Sequence, residues 1–342
     1  VFDKIGNVFK FIFLDFETVR IGLNQNNSSV NPGVYGGTGI NNLWGFSGSS
    51  LANGPSLAYQ LGLVSSPHGG FKTVSSSAFP FFGFSSFDGI RPPNGIMQDN
   101  FTQSTSFDIS TSRPLWEGAQ LDLKWNSTVA YNRNETVLTD INGTPTYTNV
   151  IAMRSFSRSY MSFPTIFGFN PFGNTIDNVV DEYNARSTAI ENSGISELEQ
   201  NREKQRALSE AFFEKLEAFS ISSGAARKFL PAPNYGITWE GLENWGIWSS
   251  YVKKVRLEHR YSSIYDESIK ITDKGEAYEN QMVQYGFQPM LGVSWTFDEE
   301  KLDGQLTANL RWNATTNFNL NSSSRSIIQK TSTNEISAQA NY

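Results

Sequence analysis

The chain has 342 residues, a formal net charge of −6 and no cysteine. The lack of cysteine excludes disulfides, thiol nucleophiles and cysteine-based zinc sites, and the acidic balance gives no basic footprint for nucleic acid. Aromatic residues make up 14% of the chain, yet the mean hydropathy is −0.38 and no apolar run is long enough for a membrane-spanning helix. This combination is typical of a transmembrane β-barrel, in which lumen-facing side chains dilute the lipid-facing ones.

The first segment, 1–64, is predicted to contribute barrel strands over Thr18–Gln25 and Ser56–Val64. The next segment, 65–100, is rich in glycine, serine and proline and is predicted to be a long loop with a cluster of phenylalanines. Long loops are usually functional or disordered, so we consider this cluster a possible contact for a partner or plug, with anchoring on the barrel's own wall as the alternative. The cluster consists of Phe79, Phe81, Phe82, Phe84 and Phe87.

A second group of strands is predicted over 101–161. It comprises Phe101–Thr111, a strand that begins at Ala119, and Val150–Met161. Apolar and polar residues alternate from Ala119 to Tyr131, which places successive side chains on opposite faces of a strand.

The segment 162–229 is predicted to be a loop with one helical insert. Ser196 and Glu199 fit a helix-capping box. Leu208, Phe212 and Leu216 then recur every fourth residue, which predicts a helix with one buried side. We expect this side to dock on the chain's own fold; a groove for a partner is the alternative.

The last segment, 230–342, is predicted to contain further barrel strands and the clearest pattern of all. Alternation is almost unbroken from Leu306 to Leu320, whereas globular strands average about 5–6 residues and a strand that crosses an outer membrane needs about 9–11. The same pattern covers Val255–Tyr261 and Val283–Phe297. Pro289 in the second run is predicted to lie at a bulge or on the unpaired side of an edge, because it cannot donate a ladder hydrogen bond. Weaker strands are predicted over Gly236–Gly241 and Ile327–Tyr342.

The fold class is therefore all-β: a transmembrane antiparallel β-barrel segment of about ten long strands. A cationic side chain on the lipid face at the bilayer midplane would cost about 2–4 kcal/mol, so charged and amide side chains are expected to face the lumen. The predicted lipid-facing or girdle residues are Trp125, Tyr131, Leu257, Tyr261, Val293, Trp295, Leu310 and Trp312. The predicted lumen-facing residues are Lys124, Asn126, Arg256, Glu258, Gln288, Asn309, Arg311 and Asn313.

Little in the sequence points to chemistry. His68 and His259 are far apart, and neither has the neighbours of a catalytic triad. Acidic pairs such as Asp181/Glu182 and Glu299/Glu300 are interpreted as solvated, and no glycine-rich phosphate loop occurs. We predict no enzyme activity, no catalytic or metal-binding residue and no cofactor.

Two motifs in the last segment resemble a known family. Leu230–Leu242 reads LPAPNYGITWEGL and is similar to the signature LPxPNWxxxYxGL; Val255–Tyr265 reads VRLEHRYSSIY and is similar to FTLxHxYRSTY. Both signatures occur, in this order, near the C-terminus of the SprA/Sov proteins, the outer-membrane translocons of the type 9 secretion system. Phe101–Ser104, Leu121–Leu123 and the Met290–Asn313 hairpin add shorter matches.

The chain also departs from the family's pattern. Tyr235 stands where the signature has tryptophan, Arg260 follows His259 in place of a small residue, and the helical insert has no counterpart among these motifs. The family's chains are several times longer, so the resemblance implies a late piece of a barrel that does not close within this chain.

The resemblance implies a protein-conducting translocon in the outer membrane of a Gram-negative bacterium, which exports folded cargo in a pathway that also serves gliding motility. The implied partners are membrane lipid, secreted cargo proteins, a shuttle barrel, a plug protein and a periplasmic prolyl isomerase. Two alternatives remain. One is a self-contained outer-membrane porin or TonB-type transporter, in which the strands would close on themselves. The other is a soluble secreted β-sandwich adhesin, in which two sheets would bury the apolar faces against each other.

Overall fold

A computed structural model gives the fold of residues 18–33, 91–143, 145–162, 175–218, 232–244, 246, 248, 250–272, 275–322 and 327–342. The predicted strand Ser56–Val64, the phenylalanine cluster Phe79–Phe87 and His68 lie outside these residues. The strands are β1 (Thr18–Val30), β2 (Ile96–Trp116), β3 (Ala119–Thr139), β4 (Pro145–Ser159), β5 (Asn234–Glu240), β6 (Val252–Thr272), β7 (Gly275–Phe297), β8 (Thr307–Asn321) and β9 (Ile327–Asn341). The helices are α1 (Ile176–Glu191), α2 (Glu197–Leu216) and the single turn α3 (Glu299–Leu302), with a 3₁₀ turn at Leu242–Asn244.

All of these strands belong to one antiparallel sheet, which confirms the all-β prediction for the described part of the chain. They are long: β2, β3 and β6 have 21 residues each and β7 has 23, against about 5–6 in an average globular strand. They also exceed their predicted bounds, as β2 extends beyond Phe101–Thr111 at both ends. Near the strand ends polar residues occupy both faces, so the two-residue period that predicts a strand disappears there.

The strands follow the order β1-β2-β3-β4-β6-β7-β8-β9, and β5 pairs with both β3 and β6. β4 and β5 therefore lie end to end in one lane between β3 and β6. Along β3, Ser127 lies opposite Arg158 of β4, and Lys124 lies opposite Asn234 of β5. The segment that carries α1 and α2 is consequently an insertion into what would otherwise be a single strand.

The sheet has an upper end, at the β3–β4 turn near Asp140, and a lower end, at the β2–β3 turn of Glu117 and Gly118. Face A is the side that carries the Tyr261 side chain, and face B is the opposite side. Because side chains alternate along a strand, the observed registers assign each paired residue to one face.

The insertion packs on the upper half of face A. Leu208, Phe212 and Leu216 of α2 are buried against sheet residues that include Tyr265 and Val283. This confirms the predicted apolar stripe and its docking on the chain's own fold. The predicted cap is also present, since Ser196 Oγ accepts a hydrogen bond from the Glu199 N–H at 3.4 Å.

Pro289 lies in a bulge, as predicted. Residues 288–290 pair with neither neighbouring strand, and the register shifts between Phe287 and Leu291 on the β8 side. A proline without an N–H can be accommodated there without the loss of a ladder hydrogen bond.

We call the junction between β4 and β5 the seam. Here side chains accept the hydrogen bonds of strand N–H groups that have no backbone partner. The Asn126 N–H of β3 donates to Ser159 Oγ at 3.2 Å. On the other side, the Ser263 N–H of β6 donates to Asn234 Oδ1 at 2.8 Å. Because an unpaired buried N–H costs about 1–3 kcal/mol, these two side chains keep the ladder satisfied where the main chain leaves the sheet.

We predict that Ser159→Ala and Asn234→Ala each lower the free energy of unfolding by about 1–3 kcal/mol, because each leaves one strand N–H without an acceptor. Hydrogen exchange should accelerate at the Asn126 amide in the first variant and at the Ser263 amide in the second. Ser106→Ala, on face B of β2, is the matched control and should change stability by less than about 0.5 kcal/mol. Unchanged exchange at both amides would contradict the assigned role of the seam.

Candidate functional site

The candidate site is the sheet surface itself, because its two faces differ in chemistry. The lower part of face A is mainly apolar, and we call its apolar residues the apolar band; Thr111 and Arg113 of β2 and His259 of β6 also lie on this part of the face. The exposed members of the band include Ile21 at 68%, Leu23 at 74% and Ile336 at 69% exposure. The band consists of Val19, Ile21, Leu23, Phe107, Ile109, Leu121, Leu123, Trp125, Ile237, Trp239, Val255, Leu257, Leu291, Val293, Trp295, Ala308, Leu310, Trp312, Ile336, Ala338 and Ala340.

All eight residues predicted to face lipid lie on face A, but two of them lie outside the band. Tyr261 is fully buried beneath the start of the insertion, where its hydroxyl donates to the Ser162 carbonyl and accepts from the Ser162 N–H at 3.0 Å. The prediction that Tyr261 faces lipid is therefore wrong. Tyr131 lies in the upper half of face A, opposite Arg154 of β4, and therefore beyond the upper edge of the band.

Aromatic residues gather at the lower edge of the band. The rings of Trp116 and Trp239 meet edge to face with their centroids 5.4 Å apart. The ring centroids of Trp248 and Trp295 are 6.0 Å apart. Amphipathic rings of this kind suit a boundary between apolar and aqueous surroundings.

The band is slanted with respect to the hydrogen-bonded rows of the sheet. The hydrogen-bonded row that contains Leu123 continues through Tyr235 to Tyr261 on β6. The row of Ile21 and Trp125 lies two residues farther along β3, so it reaches β6 near Ser263. The band on β6, however, is centred on Leu257. Between β1 and β6 the band thus shifts by about six residues over four lane steps, or about 5 Å along the strand for each step of about 4.8 Å between strands. From β6 to β9 it follows a single row through Leu257, Val293, Leu310 and Ala338.

Charged and polar side chains lie between the helices and the upper half of face A, and their contacts hold the insertion on the sheet. Arg158 and Glu217 are both buried and form an ion pair of 2.7 Å. The Arg158 guanidinium also lies 5.3 Å from the ring centroid of Tyr160 and 5.0 Å from that of Phe213. This cluster fastens the root of the insertion to the end of α2.

A second buried cluster joins α2 to β6 and β7. The Tyr265 hydroxyl donates to Glu267 at 2.6 Å, and the Gln281 amide contacts the Tyr265 hydroxyl at 2.8 Å and Ser209 Oγ. Burial raises the pKa of Tyr265 well above its usual range, and the Glu267 carboxylate adds to the shift. Burial similarly raises the pKa of Tyr278 to about 12. Both phenols are therefore neutral donors at physiological pH, as an anchored, dehydrated contact requires.

Face B is polar at the height of the apolar band, whereas farther up it also carries apolar side chains such as Ile151, Met153 and Ile264. Seven of the eight predicted lumen-facing residues lie on it: Lys124, Asn126, Arg256, Glu258, Asn309, Arg311 and Asn313. Gln288 lies in the unpaired bulge, so the register assigns it to neither face. The remaining positions of face B in β2, β8 and β9 are mainly serine, threonine, asparagine and glutamine.

The residues that carry the family resemblance meet at the seam. Asn234 accepts the Ser263 N–H. The His259 ring nitrogen Nδ1 lies 2.6 Å from the Met290 carbonyl, and its Nε2 lies 3.3 Å from the Tyr235 hydroxyl. His259 thus connects β5, β6 and the β7 bulge, which is a structural role.

Within the described ranges, no group of three or more histidine, aspartate or glutamate side chains could hold a metal ion. None of the described helices is both long and apolar enough to cross a membrane. Asp181 and Glu182 lie on α1, and Glu299 and Glu300 lie on α3.

No protein-family model matches this chain, and no curated protein sequence matches it. The likeness to SprA/Sov therefore rests on the short motifs quoted above.

Sequence reasoning missed the seam and the buried Arg158–Glu217 pair. The two partners are 59 positions apart, and each looks like an ordinary solvated charge within its own segment. Only the docking of α2 reveals that they meet.

We predict that Arg158→Met lowers the free energy of unfolding by about 3–5 kcal/mol, because it leaves the Glu217 carboxylate buried without its partner. The double variant Arg158→Met with Glu217→Leu should recover most of this loss. Denaturant unfolding of the four members of the cycle gives the coupling energy.

Lys204→Met provides the control, since Lys204 forms an ion pair of 2.6 Å with the half-exposed Glu191 and such surface pairs contribute about 0–1 kcal/mol. If the double variant were as unstable as Arg158→Met alone, the lost stability would not come from an unpaired charge.

Proposed function

We propose that this chain is part of an outer-membrane, protein-conducting translocon that exports folded proteins in type 9 secretion. In this proposal the apolar band meets lipid and face B lines a water-filled path. The observation that carries the proposal is the separation of the two faces at band height: an exposed apolar band on one side and, directly behind it, a face on which the described side chains are polar or charged.

Backbone satisfaction supports this assignment. Every N–H and C=O within hydrocarbon must have a partner inside the protein, so strands can cross only as part of a paired sheet. The long ladders and the seam meet that requirement across the band.

The described sheet also bears on the alternatives. Among the described residues there is one sheet, and no second sheet covers the apolar band as an adhesin sandwich would require. Among the same residues β1 and β9 do not pair with each other, so closure into a self-contained porin would need strands outside the described ranges.

The proposed partners, which are the shuttle barrel, the plug protein, the prolyl isomerase and the cargo, rest on the resemblance alone. The proposed location in the outer membrane of a Gram-negative bacterium and the link to gliding motility rest on it as well. The upper half of the strands would project beyond the membrane, because the helical insertion there exposes charged side chains such as Arg206 and Glu191.

The direct test is quenching of tryptophan fluorescence by brominated lipids in proteoliposomes of the full-length native protein. Variants that retain only Trp312 or only Trp295 should be quenched strongly, with a depth that differs between band centre and band edge. A tryptophan introduced at Thr315 on face B should respond instead to an aqueous quencher such as iodide. Strong iodide quenching at Trp312 would remove the basis for the proposal.

We predict that Leu310→Arg destabilises the membrane-inserted protein by about 2–4 kcal/mol, because it places a cation on the lipid face. Asn309→Arg, one residue away on face B, should change stability by less than about 0.5 kcal/mol. Urea-dependent unfolding from liposomes measures both variants. Equal destabilisation of the pair would argue against lipid on face A.

A further inference from the structure

The charges on face B are not spread evenly over the polar surface. They concentrate directly behind the apolar band in most lanes. Farther up, the described part of face B carries only the charged residues Asp266, Lys270 and Glu279, whose carboxylate lies 3.9 Å from Lys270. The charged residues at band height are Arg20, Asp108, Asp122, Lys124, Glu240, Lys254, Arg256, Glu258, Arg260, Arg311 and Glu335. We call this set the charge belt.

The belt is balanced in sign. It contains six cationic and five anionic side chains, and the sign changes repeatedly between neighbouring lanes. Arg20 on β1 is followed by Asp108 on β2, and Arg311 on β8 is followed by Glu335 on β9.

Several of these charges form one connected chain of ion pairs that crosses the lanes over neighbouring rows. Glu240 lies 3.1 Å from Lys254 and 3.8 Å from Arg256. Arg256 lies 2.7 Å from Glu258, which in turn lies 3.3 Å from Arg311. These side chains are solvent-accessible, and exposed pairs of this kind contribute only about 0–1 kcal/mol each to stability. Stability therefore does not explain the concentration of charges at this height.

Glycines let the arginines lie flat on the sheet. Gly292 of β7 stands between Glu258 and Arg311, and a Cβ at this position would come within 3.4 Å of the Glu258 Cβ and 2.8 Å of Pro289 Cγ. The gap lets Arg311 reach across a whole lane. In the same way, Arg260 Nε lies 3.6 Å from where a Cβ of Gly236 would be. The charges thus stay close to the wall instead of projecting from it.

We infer that the charge belt makes the transport path neutral toward the charge of the polypeptide that passes it. This inference rests on the proposed function, in which face B is the wet inner wall. A belt of one sign would concentrate and retain surfaces of the opposite sign. Opposite charges a few ångströms apart cancel within about one Debye length, about 8 Å at physiological ionic strength. A wall of this kind suits folded polypeptides of either net charge as the transported substrate.

This chain contains no cysteine, so charged thiol reagents can measure the local potential once any cysteine elsewhere in the full-length protein is replaced by serine. Ser294→Cys places one thiol on face B of β7, in the row of Arg256 and Asn309. Gln284→Cys, also exposed on face B of β7 but above the belt, is the matched control. The readout is the ratio of reaction rates with an anionic sulfonate and a cationic trimethylammonium methanethiosulfonate, measured on the full-length protein in membranes at low salt.

We expect the two thiols to show similar ratios in the otherwise unaltered protein. Glu240→Gln with Glu258→Gln should shift the ratio at Ser294→Cys toward the anionic reagent, roughly fourfold for each neighbouring charge removed. The ratio at Gln284→Cys should stay constant, and 1 M salt should abolish the shift. The swap Glu258→Arg with Arg311→Glu, made separately in the Ser294→Cys protein, preserves the balance and should leave the original ratio unchanged.

The outcomes separate the two proposals. If neither thiol reacts although the protein resists protease as the parent does, face B is not wet and the proposed function fails together with the belt. If both react but the ratio at Ser294→Cys is strongly one-sided, or does not respond to the two Glu→Gln changes, the belt inference is overturned while the wet face stands.

Discussion

The hydrogen-bonded ladder is the constraint on which the rest of this structure depends. A sheet this long offers a backbone donor and acceptor at every residue, and each must be satisfied within the ladder or by a substitute. The seam between β4 and β5 is where that requirement is most demanding, because the chain leaves the sheet in mid-lane. Ser159 and Asn234 supply the missing acceptors there, so the insertion of two helices leaves the neighbouring strands undisturbed.

Once the ladder is continuous, its two faces can serve different surroundings. The upper half of face A is covered by the insertion and held by a buried ion pair and neutral tyrosine contacts. The lower half carries the apolar band, and the opposite face carries amides, hydroxyls and a balanced set of charges. A strand that leaves a membrane partway along its length needs an exposed apolar surface inside the membrane and packed cover, here the helices, over its apolar face outside it.

The local pattern predicted much of this arrangement because it depends on period alone. Alternation on β3 and β8 fixed which residues share a face, and the stripe of Leu208, Phe212 and Leu216 identified the docking side of α2. Strand lengths were underestimated where serine and threonine occupy both faces. Tyr261 was misassigned because a residue on the apolar face can be covered by a distant segment, and no neighbour in sequence reports that cover.

The sequence by itself determined the strands, their two faces and the existence of a helical insertion, since each follows from spacing between nearby residues. Only the tertiary structure decided that β4 and β5 share a lane, that the band is slanted, and that Arg158 meets Glu217. It also decided that Arg311 reaches Glu258 across Gly292. These features depend on register between strands far apart in the chain, and register is an energetic outcome of the whole sheet.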